Sequence, residues 1–215
     1  DFGVNAQGTL NVLEAVRRCW TSLFTDRAVA YRLKHHLSHR AVSMAVVVQK
    51  FVLADTSGVV FTADPRDGNA RHLVIEAVFG LGESLVSGKV SPDRFVLEKD
   101  TGRLLERTVN HKKVEVVPAE SAGVQERSVP GPRQAEPCLD EAIIRHLGQL
   151  GIKAERLFGA PQDVEWAARG GQVFLLQSRP ITGLAPRPEA EPEVWTNANA
   201  MEALPDVVTP MACAV

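Results

Sequence analysis

The sequence Asp163-Val164-Glu165-Trp166 is followed a few residues later by Leu175-Leu176-Gln177-Ser178-Arg179-Pro180. Val164, Trp166, Val173 and Leu175 are core-type residues. Glu165, Gln177 and Arg179 interrupt them with a carboxylate, an amide and a guanidinium. Carboxylate and amide oxygens are hard ligands suited to Mg²⁺, which takes one or two protein ligands and completes its shell with phosphate oxygens and water. A guanidinium presents a planar fork to the same phosphates. The three residues therefore sketch the metal end of a Mg-nucleotide site. They equally fit a Glu–Arg ion pair at a strand end with Gln on the surface, and spacing alone does not separate the two.

Hairpin arithmetic sets a condition on the first reading. A two-residue turn at Arg169-Gly170 places Glu165 opposite Phe174, with Gln177 on the other face of the sheet. A longer loop or a β-bulge restores a shared face. If Glu165 and Gln177 serve one metal, an irregularity between them is required.

Other constellations are weaker. Gly80-Leu81-Gly82-Glu83-Ser84 has the look of a phosphate-cradling loop but lacks the Lys-Ser/Thr of a P-loop, and backbone freedom accounts for its glycines. Gln49, in Val46-Val47-Val48-Gln49-Lys50, is a lone polar side chain in an apolar run, placed either to bond a nucleotide or to line a sheet edge. Asp64-Pro65 ends a strand. His35, His36 and His39 have no carboxylate or thiol in register and read as a solvated connection. His72, His111 and His146 sit in unrelated contexts, and no Gly-rich elbow presents a nucleophilic serine.

The elements that must position these residues follow from periodicity. Residues 10–24 read as a helix with Thr9 as N-cap and Leu13, Val16, Trp20, Leu23 and Phe24 on one face. Asp26 starts a second short helix. Ala41–Leu53, Gly58–Ala63, Leu73–Val78, Val90–Leu97 and Leu104–Val117 read as strands. The turns Arg66-Asp67-Gly68-Asn69 and Lys99-Asp100-Thr101-Gly102 make the sheet largely antiparallel. Residues 118–137, with four prolines, read as a loop. Leu139–Phe158 is a helix with Leu139, Ile143, Leu147, Leu150 and Leu157 on one face. Asp163–Ala167 and Gln172–Gln177 form the hairpin discussed above. The fold class is α+β.

The chain has 215 residues with 24 Lys+Arg against 26 Asp+Glu, a net charge of −2, so no basic field points to nucleic acid or an anionic membrane. No apolar run approaches the roughly 18 residues that span a bilayer. Cys19, Cys138 and Cys213 form no CxxC pair, which suggests neither a disulfide framework nor a zinc site and suits a cytoplasmic setting. Residues 184–193 are Pro-rich, a linker by composition, and a separate segment begins at Val194. Both ends read as cut from something larger.

Four stretches, in order, resemble one known family. They are VVVQKFVLADTSGVVFTADPRDG, HLVIEAVFGLGESLVSGKVSPDRFVLEKDTG, FGAPQDVEW and FLLQSRPIT. Together they resemble the nucleotide-binding domain of the phosphoenolpyruvate synthase and pyruvate phosphate dikinase family, which rifampicin phosphotransferases share. The resemblance covers roughly residues 10–183. It implies an ATP-grasp fold with ATP between two α+β subdomains, residues 1–183 being the C-terminal part of that domain, 184–193 a linker and 194–215 the start of a following domain. It also implies that Gln49 contacts the nucleotide, that Glu165 and Gln177 hold Mg²⁺ and phosphates, and that Arg179 faces the transferring phosphoryl groups. The implied reaction moves the β-phosphoryl of ATP to a histidine on a swivelling domain, with release of AMP and phosphate, and then to pyruvate or a drug hydroxyl.

The family's N-terminal subdomain is expected before residue 1, and the phosphohistidine and acceptor domains are absent, so the fragment alone is expected to be inactive. The leading expectation is a pyruvate, water dikinase. The alternatives are a rifampicin phosphotransferase-like enzyme, whose post-domain segment Trp195-Thr196-Asn197-Ala198-Asn199 and Thr209-Pro210-Met211 resembles, or a non-catalytic nucleotide-binding remnant.

Overall fold

The computed structural model describes residues 4–40, 42–86 and 90–182. The proposed linker and following segment, 184–215, lie outside them. The chain divides into two compact units, one formed by residues up to Phe51 together with Pro118–Gln125, the other by Val52–Val117 and the described residues from Glu126 onward.

In the first unit, α1 (Thr9–Thr21) leads through a 3-10 turn into α2 (Asp26–Lys34). Gly8, not Thr9, is the N-cap of α1, and it supplies no side-chain cap. Thr25 caps α2 by accepting from the Ala28 N–H at 3.4 Å. The expected apolar face of α1 is not its buried face: Ala15 and Cys19 are covered, whereas Leu13, Trp20 and Phe24 stay exposed. Residues 42–53, expected as a strand, form none. Val47 is 68% exposed. A valine-rich run becomes a strand only where another backbone edge pairs with it, and among the described residues none does.

The second unit is built on a six-stranded sheet of order β4-β3-β2-β1-β7-β8, antiparallel throughout. Its strands are β1 (Thr56–Phe61), β2 (His72–Phe79), β3 (Asp93–Glu98), β4 (Leu104–Thr108), β7 (Gln162–Arg169) and β8 (Gln172–Pro180). The expected strand Leu104–Val117 is two strands, β4 and β5 (Val114–Pro118). Asp93 interrupts it: one carboxylate oxygen takes the Asn110 N–H at 2.9 Å and Lys112 Nζ at 2.6 Å, and the other takes the Cys138 N–H at 2.7 Å. Lys112 and Asp93 are both fully buried, so the segment between β4 and β5 is spent on satisfying that charge. The expected loop 118–137 contains β6 (Val124–Ser128), paired with β5, and a 3-10 turn at Gly131–Ala135.

The four-residue helix α3 (Glu83–Val86) precedes β3, and α4 (Glu141–Phe158) covers one face of the sheet. Asp140 caps α4 by accepting from the Ile143 N–H at 2.8 Å, and Gly159 ends it in the left-handed region. The face of α4 that meets the sheet is Ile144, Leu147, Gly148, Gly151 and Ala154, while Leu157 of the expected face is exposed. Small residues decide this. A methyl on Gly151 would lie 2.9 Å from Val60 Cγ1 and 3.0 Å from Leu73 Cδ1, so the helix backbone rests directly on the strands. Val60, Leu73, Ile75, Phe95, Leu97, Val164 and Trp166 complete that core. The other face carries the charged residues of the site.

Candidate functional site

Two features of the β7–β8 hairpin place the candidate ligands. The first is its turn, at Gly170-Gly171, one residue later than expected, with φ of 55° and 79°. Two consecutive positive φ values define the primed turn whose twist suits a hairpin, and glycine adopts them without strain. The second is a break in register between Glu165 and Trp166. Below it Trp166 faces Leu175; above it Glu165 faces Gln177 and Asp163 faces Arg179. Leu176 is the extra residue. The irregularity required for Glu165 and Gln177 to share a face is therefore present, as a β-bulge rather than a longer loop.

Period-two alternation puts Asp163, Glu165, Gln177 and Arg179 together on the face away from the core. Arg179 Nε and Nη2 donate to a single oxygen of Asp163, Oδ2, at 2.9 and 2.8 Å. The ion pair that spacing allowed for Glu165 is made by Asp163 instead. Glu165 is 3% exposed. Burial and the neighbouring Asp163 charge raise its pKa to about 7, with Arg179 opposing. The second oxygen of Asp163, Oδ1, is buried without a partner. A buried carboxylate oxygen with no donor is costly unless a cation completes it. Glu165, the orphaned Oδ1 of Asp163 and the amide of Gln177 form a hard-oxygen set of the kind that suits Mg²⁺.

The sheet register brings further charges to this face that sequence reasoning did not single out. Val59 faces Glu165 on one side and Glu76 on the other, and Glu76 faces Arg94. Arg94 is held by Asp64 at 2.5 Å and by Glu106 at 3.0 Å, so Asp64-Pro65 is more than a turn. Burial raises the Glu76 pKa, Arg66 and Arg94 oppose that, and Asp64 and Asp163 reinforce it. The usable signal was the alternation of charged and apolar residues in β2, β3 and β7, hidden because each strand carries only one or two such charges.

Other sequence candidates fall elsewhere. Gln49 is half-buried in the first unit. The Gly80 N–H donates to Asp55 O at 2.9 Å and the Leu81 N–H to Val116 O at 2.8 Å, so these amides are already committed within the fold. His39 Nδ1 accepts from Arg32 Nε at 3.0 Å. Asp64, Asp67 and His72 bring ligand atoms within 4.8 Å of one another, but Asp64 is committed to Arg94. No described helix is long and apolar enough to cross a membrane.

The fold and this site describe an α+β nucleotide-binding domain with a cluster of hard-oxygen donors on the open face of its sheet. Residues 2–199 match the family model described as pyruvate phosphate dikinase, AMP/ATP-binding domain, and the chain belongs to that family. It is 38% identical over 98% of its length to a rifampicin phosphotransferase of Bacillus cereus, covering 24% of that protein. It is 42% identical over 86% of its length to a probable phosphoenolpyruvate synthase of Methanothermobacter thermautotrophicus, covering 27% of it. To a phosphoenolpyruvate synthase of Pyrococcus furiosus it is 40% identical over 86% of its length, covering 24% of it. The chain spans about a quarter of the length of these relatives.

Proposed function

We propose that this chain is the ATP- and Mg²⁺-binding portion of a phosphoenolpyruvate synthase-like dikinase. The parent protein would transfer a phosphoryl group from ATP to a histidine on another domain, with release of AMP and phosphate. Residues 1–183 would be the C-terminal part of an ATP-grasp domain, 184–193 a linker and 194–215 the start of the next domain, in a cytoplasmic protein. The observation that carries the reading is the bulge that sets Gln177 opposite Glu165, beside an orphaned oxygen of Asp163. Glu165 and Gln177 would hold Mg²⁺. Bound there, the cation would supply charge neutralisation to the phosphates of ATP.

The chain's own contribution is positioning. Arg179, 39% exposed on its side chain, is aligned by Asp163 and keeps Nη1 free of that pair, so it can receive phosphate oxygens as charge moves between them. Burial keeps competing water from Glu165. Gln49 would contact the nucleotide. The phosphohistidine and acceptor domains would belong to other parts of the parent protein, so the fragment alone would be inactive.

One observation favours a rifampicin phosphotransferase-like parent as a second reading. The match to the Bacillus cereus relative covers 98% of the chain, against 86% for the two synthases, so it extends into the segment after residue 183. The test is Glu165→Ala in the intact protein, followed by transfer of label from β-labelled ATP to the protein. Loss of labelling with the fold retained is expected, and unchanged labelling refutes the metal assignment. Offering pyruvate or a rifamycin to the labelled wild type separates the two parents.

A further inference from the structure

We infer that Glu76, with Arg94, seats the water molecule that takes the terminal phosphoryl group of ATP, an inference that rests on the proposed reading of this chain. The balance of that reaction requires such a water. ATP yields AMP, free phosphate and a phosphohistidine only if a water oxygen bonds to the terminal phosphorus. The bond from that phosphorus to the bridging oxygen breaks, the bridging oxygen keeps the electron pair, and a water proton passes to Glu76. The sheet register places Glu76 for this step. Glu165, Val59, Glu76 and Arg94 lie in one row across β7, β1, β2 and β3, each directly opposite the next and all on the face away from α4. Adjacent strands are about 4.8 Å apart, which sets the Glu76 backbone about 9.5 Å from that of Glu165. Val59, buried between them, offers a short apolar side chain. The interval leaves room for a phosphoryl group, a water at a near-attack separation of about 3–3.5 Å, and a hydrogen bond of about 2.6–3.2 Å from that water to the carboxylate.

Two adjacent groups supply the donor and the acceptor that a bound water needs. The donor is Arg94 Nε. It is buried without a partner, on a side chain only 7% exposed. Nη1 is held by Glu106 at 3.0 Å and Nη2 by Asp64 at 2.5 Å, so the guanidinium is not free to turn and find an acceptor elsewhere. The acceptor is Glu76, directly across from it on β2 and half-buried. Burial raises the Glu76 pKa, with Arg66 and Arg94 opposing, which suits a group that takes up a proton near neutral pH. The surroundings also favour a neutral nucleophile over an anionic one. Arg94 is already balanced by two carboxylates, and Glu76 shares its face with Asp163 and Glu165, so free phosphate would be repelled.

The test uses the intact protein and γ-labelled ATP. Glu76→Gln should release labelled phosphate at least about 100-fold more slowly than the wild type, yet bind a non-hydrolysable ATP analogue with Mn²⁺ within about threefold of wild-type affinity. In Glu76→Ala, added formate should speed release at least about tenfold, because a free carboxylate then takes the water proton. A Glu76→Gln variant that releases phosphate within about threefold of the wild-type rate overturns the inference. So does a loss of analogue binding that matches the loss of rate, or a Glu76→Ala variant that formate leaves unchanged. Should neither variant fold, by thermal melting, Glu76→Asp keeps the carboxylate but shortens its reach, and it must slow release at least about tenfold at unchanged analogue affinity for the inference to stand. Glu165→Ala separates the two levels. If it abolishes labelling of the protein by β-labelled ATP while the Glu76 variants release phosphate at the wild-type rate, only this inference fails. If it leaves labelling unchanged, the proposed site itself is wrong.

Discussion

If Glu165 holds a cation as proposed, its raised pKa should make metal affinity depend on pH in a way an ordinary carboxylate would not. A ligand carboxylate binds a cation in its ionised form, so affinity follows the ionised fraction. Burial and Asp163 set the Glu165 pKa at about 7, against 4.5 for an unperturbed glutamate. With that value about 3% of Glu165 is ionised near pH 5.5 and about 90% near pH 8, so Mn²⁺ affinity should rise about 30-fold between them. An unperturbed carboxylate, already about 90% ionised near pH 5.5, gives almost no change over the same interval. The assay is Mn²⁺ binding to the intact protein without nucleotide, which removes the titration of ATP itself, with Glu165→Gln as reference. The wild-type curve should steepen towards one decade per pH unit below about pH 7 and flatten above it, while Glu165→Gln stays flat and weak. Parallel curves for the two proteins would refute the reasoning, because they would show that no proton on Glu165 competes with the cation.

Two further outcomes follow from the same contacts. Asp163→Asn removes the charge that pushes Glu165 up and weakens the hold on Arg179 from a charged pair to a neutral acceptor. The midpoint of the Mn²⁺ pH curve should move to lower pH and phosphoryl transfer to the protein should fall, whereas an unmoved midpoint would mean that burial alone sets the Glu165 pKa. Lys112→Met leaves Asp93 charged and fully buried without its partner, which should cost about 3–5 kcal/mol in urea unfolding followed by circular dichroism; a cost below about 1 kcal/mol would contradict the structural role assigned to the pair.

Much of the second unit was legible in the sequence because alternation, β-branched content and turn residues agree there. The strands around Val60, Ile75 and Phe95 and the helix ending at Gly159 lie where those signals put them. The errors share a cause. The face of α4 was read correctly at Leu139, Ile143 and Leu147 but not at Leu157, and the reading missed Gly148 and Gly151, which register as neither apolar nor polar although they set how closely the helix approaches Val60 and Leu73. The face of α1 was misread because apolar periodicity reports which residues could be buried, not which ones find a partner. The strand Leu104–Val117 was read through because no local signal announces that Asp93, the first residue of β3 and 19 residues away, will draw Lys112 inward.

The site was half legible for a different reason. Glu165, Gln177 and Arg179 stand out because each breaks an apolar run. Whether two of them meet is a question of parity, and parity along a hairpin changes with a single residue. The sequence around Leu176 has no glycine or proline to mark the bulge, so the break in register is visible only once both strands are paired. Asp163 was the nearest miss, two residues from Glu165 and therefore on its face under any register. What hid it was chemistry rather than geometry: the ion pair weighed for Arg179 was with Glu165 alone, whereas the bulge slides Arg179 up to Asp163. The same one-residue slide brings Gln177 across from the buried Glu165. A fold selected for stability alone would gain by pairing that carboxylate with the guanidinium. The orphaned Asp163 oxygen beside the buried Glu165 is the observation on which the proposed cation site rests.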